Sequence, residues 1–379
     1  MKDMQHRPVW AEVDLKNIVH NYGEVRRLVG PAVKVMAVVK ANAYGHGDLE
    51  AAGALAAAGA DYFGVAIMTE AIHLRAQGIE EPILVLGWTQ DSDYEKALQN
   101  NITLTVFSVE EAEKLANTAR MMNKEATIHI KIDTGMSRIG FTTDDAGIAG
   151  VLQILSLPGL NVEGIFTHLA KADETDSSYT EKQLGLFNNF IAKTEQKSGF
   201  RFKLKHAANS AAIIAYPGAY FDMVRPGIML YGLKPSRDMR TDNVDLRQAL
   251  SLRARIALVK TVPPGIRISY GGTYTTTHDS VIATLPLGYA DGYSRLLSGK
   301  AQVILHGQRA QTVGRVCMDQ FMFDATGISP LAKQGDIVTL IGGEGVNFIS
   351  VDEIAQLMGT INYEIACRIS ERVPRVYHT

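Results

Sequence analysis

Between about residue 33 and residue 225, short runs of β-branched and other apolar residues alternate with longer stretches of helical periodicity. The runs are Val33 to Val39, Tyr62 to Ile67, Ile83 to Leu86, Thr103 to Phe107, Thr127 to Ile132, Val162 to Thr167, Phe202 to His206 and Phe221 to Val224. Spacings of very roughly 20 to 40 residues leave room for a helix between successive strands, which demands parallel pairing through crossovers. Eight such units favour closure, so the expected class is α/β with an N-terminal (β/α)8 TIM barrel. The intervening segments, such as VEEAEKLANTARMM (109 to 122) and Thr180 to Lys197, carry apolar residues at helical spacing and read as outer-layer helices.

After Gly232 the texture changes to strand-like runs at Ile256 to Val262, Ser280 to Leu287, Ala301 to His306, Gln311 to Val316 and Asp336 to Ile341, separated by Gly, Pro and Asp turns. A length of 379 residues suits two domains. We expect a barrel over 1–240 and a mainly β C-terminal domain over 241–379, with an early strand at about 8–13 joining the latter. Pro8 opens that strand, where a missing N–H is tolerated.

With 46% hydrophobic and 21% charged residues the chain falls in the ordinary globular range, which disfavours disorder, collagen and coiled-coil classes. Its 38 basic and 40 acidic residues give a net charge of −2, and no large positive field for a nucleic-acid backbone. The two cysteines, Cys317 and Cys367, are too few for a disulfide scaffold or a four-cysteine zinc site. Cys317 with Asp319 and no nearby histidine is a poor metal site, so no metal is expected. The sequence contains no apolar run of membrane-spanning length, and its start lacks a secretory signal's apolar core, so no membrane association and a cytoplasmic location are expected.

Barrel active sites lie at the C-terminal ends of the strands. In VKVMAVVKANAYGHG an apolar strand ends on Lys40, followed by Asn42, Tyr44 and Gly45. A lysine there, if desolvated, serves as an imine-forming nucleophile or a proton acceptor, although one simply reaching solvent fits this segment equally well. Lys131, Asp133 and Arg138 follow the fifth strand, His168 the sixth, Asn209 and Ser210 the seventh, and Arg225 the eighth. Singly, each has a structural explanation; several strand ends agreeing points to a site. Asn209-Ser210 and Gly227-Ile228 fall at loop-to-helix positions whose backbone N–H groups suit a phosphate, though Pro226-Gly227 also suits a plain turn.

The ordered set VVKANAYGHG, KIDTGMSRIGF, THLAKADE, HAANSAA, VRPGIMLYG, ISYGGTY, GYADGY, GRVCMDQ and RISERVPRVY resembles the bacterial alanine racemase family, pyridoxal-phosphate enzymes of fold type III, over nearly the whole chain. The resemblance implies a head-to-tail homodimer with active sites shared between subunits. It implies that Lys40 holds pyridoxal 5′-phosphate covalently and that Tyr270, from the partner subunit, is the second catalytic base. Racemisation removes a Cα proton from one face and returns it to the other, so two flanking acid/base groups serve better than one. By the same analogy Lys40 acts on D-alanine and Tyr270 on L-alanine.

Further roles follow from the resemblance. Tyr44, Ser210, Gly227, Ile228 and Tyr363 match phosphate contacts, and His168 and Asn209 are also expected against the cofactor. Arg225 matches the arginine facing the pyridine nitrogen, and His168 with Arg225 the network that adjusts Tyr270. Arg138 and the backbone of Met318 match the anchors of the substrate carboxylate, and Arg138 also the contact to the cofactor's phenolic oxygen. Lys131 matches a lysine often carbamylated in that family. Asp173, Tyr289, Arg295 and Arg315 match residues around a narrow entrance that favours a small substrate, alanine. Rival readings are a racemase of broader range that takes serine, a decarboxylase of the same fold type and a noncatalytic pyridoxal-phosphate carrier. The decarboxylases use an acidic residue where Arg225 stands, and the carriers lack the second domain.

Overall fold

The computed structural model describes residues 7–379. The chain divides into two compact units: one comprises residues 18–43 and 48–246, the other 7–17, 44–47 and 247–379.

The first unit holds eight parallel strands, β2 (Lys34–Val38), β3 (Tyr62–Val65), β4 (Ile83–Val85), β5 (Ile102–Val106), β6 (Ala126–Lys131), β7 (Leu160–Phe166), β8 (Leu204–His206) and β9 (Met223–Val224), numbered after β1 (Val9–Asp14) of the other unit. Hydrogen-bonded order runs β8-β7-β6-β5-β4-β3-β2-β9. Closure comes where Asp222 N–H donates to Lys205 O at 3.0 Å and Arg225 N–H to Ala208 O at 2.9 Å. The strands are buried on both faces, which is why they read as continuous apolar runs. Met36, Tyr62, Leu84, Leu204 and Met223, from five strands, fill one end of the interior.

Outer helices follow their signals. Ser108 caps Val109–Met121 by accepting from Glu111 N–H, and Ala112, Leu115, Ala116 and Ala119 turn inward at helical spacing. Ser178–Ser198 stops at Gly199, whose φ of 70° suits a residue without Cβ.

In the second unit a mainly antiparallel sheet contains β1, β10 (Leu250–Arg255), β11 (Leu258–Val262), β14 (Ser280–Leu285), β15 (Gln302–Leu305), β16 (Gln308–Val313), β17 (Phe321–Asp324), β18 (Ile337–Glu344), β19 (Asn347–Ile349) and β20 (Arg375–His378). A separate two-stranded hairpin is formed by β12 (Arg267–Ile268) and β13 (Tyr274–Thr275). Strand β1 pairs antiparallel with β10 and parallel with β20. Pro8 lies just before β1 and accepts through its carbonyl from Arg255 N–H at 2.8 Å. None of the described helices is long and apolar enough to cross a membrane.

Candidate active site

At the C-terminal rim of the barrel the chain leaves β2 through Lys40 and makes a left-handed turn, with φ near +50° at Ala41, Asn42, Ala43 and Tyr44. For L-residues each such conformation costs roughly 1–2 kcal/mol, so the turn persists only because its surroundings impose it. Ala43 N–H bonds back to Val39 O at 2.9 Å, and Asn42 Oδ1 accepts from Asp48 N–H at 2.9 Å. The Glu70 carboxylate accepts from Ala41, Ala66 and Ile67 N–H groups at 2.6, 2.7 and 3.3 Å, tying the turn to the end of β3.

Lys131 is the last residue of β6 and is buried. Burial pulls its ammonium down to about 7, Arg225 and Arg138 add to the effect, and Asp133 opposes it. Its Nζ donates to Ile132 O at 3.2 Å and lies 5.1 Å above the Phe166 ring. Beyond it the loop wraps around Asp133, whose carboxylate accepts from Gly135, Ser137 and Arg138 N–H at 2.8, 3.0 and 3.1 Å. Burial opposes the charge on Asp133, but these backbone donors hold its carboxyl below the usual range. Arg138 is thereby presented, exposed, on a loop with a fixed backbone.

Arg225, the residue directly after the last pairing of β9, is buried. Its Nη1 donates to His206 Nδ1 at 2.9 Å, and Nη2 to Thr167 O at 2.7 Å and Ala207 O at 3.0 Å, with His168 Nδ1 at 3.4 Å. Burial brings it down to about 9, so it stays charged at neutral pH. His168 is driven well below the usual imidazole range by burial, then by Arg225, Lys131, Arg138 and Lys40. Strand ends far apart in sequence thus converge on one cationic rim around a neutral imidazole.

Asn209 caps the turn Ser210–Ala215 by accepting from Ala212 N–H. Buried Ser210 Oγ accepts from Gly227 N–H at 2.9 Å and more weakly from Met229 N–H at 3.4 Å, which joins the two phosphate-type loops expected from sequence and brings Ile228 with them. Asp173 lies beyond β7, where its carbonyl accepts from Ser236 Oγ at 3.4 Å.

The remaining candidates belong to the β-rich unit. Tyr44 and Tyr363 approach with ring centroids 6.1 Å apart, and burial first, then Tyr363 and Cys367, push the Tyr44 phenol up. Tyr270 tops the β12-β13 hairpin and is 67% exposed; with Met318, 53% exposed, it lines an open cleft. Ser269 Oγ donates to Arg315 O at 2.7 Å, pinning the hairpin to the 314–318 segment. A Cβ on Gly314 would lie 2.6 Å from that of Ser269 and 2.9 Å from Ile268 O, so this approach requires glycine. Tyr289 and Ala290 N–H donate to the carbonyls of Cys317 and Met318, both at 3.1 Å, which brings the Tyr289 turn against the Met318 loop. Arg295 opens the next short turn, Arg295–Leu297.

Glu70, His129, Glu163 and His206 also belong to the site's surroundings, and apart from His206, which opens HAANSAA, no sequence motif marks them. The readable signal was alternation: His129 and Lys131 stand two apart in an apolar strand and so share a face.

Residues 13–235 match the family model for the alanine racemase N-terminal domain, and 249–377 that for its C-terminal domain. The chain is 50% identical over 375 residues to an alanine racemase of Clostridium perfringens, covering 99% of this chain and 96% of that protein. It is 48% identical over 370 residues to that of Desulforamulus reducens, covering 98% and 99%. Among solved structures, the alanine racemase of Clostridium difficile superposes with a TM-score of 0.93 at 42% identity, covering 98% of this chain and 96% of that one. That of Bacillus anthracis with bound L-Ala-P gives 0.92 at 40%, covering 99% and 96%. With both domain models matched in order and relatives aligned end to end, the chain belongs to the alanine racemase family.

Proposed function

We propose that the protein interconverts L- and D-alanine on pyridoxal phosphate, with the Cα proton exchanged through Lys40 Nζ and Tyr270 Oη. The observation that carries the reading is the cationic rim: Lys40, Arg138 and Arg225, from separate strand ends, all act on His168, with the buried Lys131 beside them and Asp133 the acid that acts on it. Such a field fits a cofactor bearing a phosphate and a phenolic oxygen. Bound there, pyridoxal phosphate supplies delocalisation of the negative charge left when the Cα proton departs.

Lys40 would hold the cofactor covalently, and its Nζ, once displaced by the amino group of alanine, would take or return the proton on the D face. Tyr270, from a second copy of the chain, takes it on the L face; its exposure in an open cleft with Met318 suits a surface that the second copy covers. Arg138 and the Met318 N–H hold the substrate carboxylate. Ser210 Oγ and the backbone of Gly227 and Ile228, with Tyr44 and Tyr363, receive the phosphate, and His168 and Asn209 complete the cofactor's surroundings. Arg225, charged and held by four acceptors, would be the donor toward the pyridine nitrogen and would disfavour its protonation. Lys131, near-neutral through burial, reacts with carbon dioxide to give a carbamate and a proton, and the carbamate pairs with Arg138. Asp173, Tyr289, Arg295 and Arg315 narrow the approach to the size of alanine.

The test follows the optical rotation of L-alanine with purified protein and added pyridoxal phosphate, with Lys40→Ala as control. Decay to zero with total alanine conserved is expected. Persistent rotation overturns the reading and moves the test to serine.

A further inference from the structure

The barrel interior carries a line of polar side chains where apolar packing is the rule. His206 on β8, His129 on β6 and Glu163 on β7 run from the Arg225 end of the barrel to the opposite end. His129 Nδ1 lies 2.8 Å from His206 Nε2, and His129 Nε2 lies 3.5 Å from Glu163 Oε2. Both imidazoles are fully buried. Glu163 also accepts from Tyr62 Oη at 2.8 Å and Lys203 Nζ at 2.9 Å.

The backbone is shaped around this line. Ile128 pairs with Val162 but His129 with Gly164, so Glu163 is the extra residue of a bulge that turns its side chain toward His129. A Cβ on Gly164 would lie 2.7 Å from the His129 ring, so the ring fits only against glycine. Phe166 stacks on His206 at 4.7 Å with 3° between planes and lies under the Arg225 guanidinium at 5.3 Å.

Direction follows from donor counting. A guanidinium has no acceptor, so His206 Nδ1 must accept from Arg225 and its proton must sit on Nε2. That Nε2–H donates to His129 Nδ1, whose own proton must then sit on Nε2, facing Glu163. That count leaves each ring one proton, and burial, with Arg225, disfavours a second on either, although Glu163 favours it on His129. The His129 to Glu163 contact is longer than a good hydrogen bond, yet His129 Nε2 meets no better acceptor among the described residues. The opposite tautomer of His206 would set N–H against N–H and push the guanidinium away.

We infer that Glu163, His129 and His206 are positioning residues that fix the Arg225 guanidinium from the far end of the barrel by imposing one tautomer on each histidine. The inference rests on the cofactor-facing role proposed for Arg225. A misplacement of that donor by a fraction of an ångström lowers turnover without touching the alanine-binding groups.

The experiment uses holoenzyme labelled with ¹⁵N-histidine, with His129 and His206 resonances assigned through His129→Gln and His206→Gln. In the wild type both rings should show protonated Nε2 and bare Nδ1, unchanged across neutral pH. Glu163→Gln, which keeps the shape and removes the anion, should mix the tautomers and lower kcat on the order of ten- to a hundredfold with KM and melting temperature retained. In an Arg225→Ala background the same substitution should cost nothing further. Protonated Nδ1 on wild-type His206, a kcat that does not follow the tautomers, or an equal loss in both backgrounds overturns the inference. Should Glu163→Gln fail to fold, Tyr62→Phe, which removes one donor to Glu163, should give the same pattern more weakly, and its absence overturns the inference. The wild-type tautomers are read without turnover, so failure here is distinct from failure of the racemase reading.

Discussion

Glu70 Oε1 accepts from the backbone N–H of Ala41 at 2.6 Å, one residue past Lys40 and at the start of the left-handed turn. The same carboxylate caps Ala66 and Ile67, so a single anion holds the ends of β2 and β3 together. Hydrogen bonds to a charged group contribute about 1.5–3 kcal/mol each, comparable with the cost of the turn. Glu70→Ala should therefore leave a folded barrel whose Lys40 is no longer held in place. We expect kcat to fall at least about tenfold and pyridoxal phosphate to dissociate more readily. Dialysis followed by the cofactor's visible absorption checks this, and wild-type retention with wild-type kcat would remove Glu70 from the account.

Lys131 predicts a dependence of stability on pH with a definite sign. Its ammonium titrates near 7 in the folded chain, against about 10.5 when unfolded, so between these values the unfolded state binds more protons. Stability of the unmodified lysine form thus rises with pH through that window, by at most about 1.4 kcal/mol per pH unit. Lys131→Met should abolish that part of the slope. Denaturant midpoints of both proteins in carbon-dioxide-free buffer at the two ends of the window decide it, and parallel slopes would show that Lys131 stays charged.

The carbamate proposed at Lys131 has its own signature. Protein equilibrated with ¹³C-bicarbonate should show a carbamate resonance that is missing from Lys131→Ala, and the variant should lose substrate affinity through misplacement of Arg138. A resonance that persists in the variant would assign the carbamate to another amine.

Gly314 predicts a selective lesion. An added methyl would press on Ser269 and Ile268, which pin the Tyr270 hairpin, and the positive φ of 70° adds strain. Overpacking of this kind costs about 1–3 kcal/mol. Gly314→Ala should lose L-alanine turnover more than cofactor binding, because the hairpin carries the tyrosine and not the lysine. A proportional loss of both would refute a local effect.

The barrel was legible because parallel strands buried on both faces leave uninterrupted apolar runs: Ile102–Val106 is buried throughout and was read to within a residue at each end. Strand β10, LSLRAR, alternates buried and half-buried positions, yet its polar half kept it from standing out. Rim residues such as Lys40, Lys131 and Arg225 were legible because strand ends mark a barrel's working face. Glu163 was not, since its place beside His129 depends on a bulge set by pairing across strands. Glu70 was missed for a related reason: its bonds to Ala66 and Ile67 are local, but the one that matters reaches Ala41, 29 residues away. Nor did anything local mark residues 44–47 as packing with the β-rich unit; Gly45 is needed because a Cβ there would lie 2.2 Å from Ala366 O, a contact 321 positions distant in sequence (366 − 45).

The shared site is tested by complementation. Lys40→Ala and Tyr270→Phe homodimers should each be nearly inactive, because every site lacks one base. If Tyr270 is donated by the second copy, a hybrid of the two has one site with neither base and one with both. Random exchange of equal amounts makes half the dimers hybrids with one working site of two, so activity should recover to about a quarter of the wild-type rate. If Tyr270 instead served the Lys40 of its own chain, every site in the hybrid would still lack one base. Absence of recovery, with subunit exchange demonstrated by mass-tagged chains, would therefore place both bases on one chain and reject the shared site.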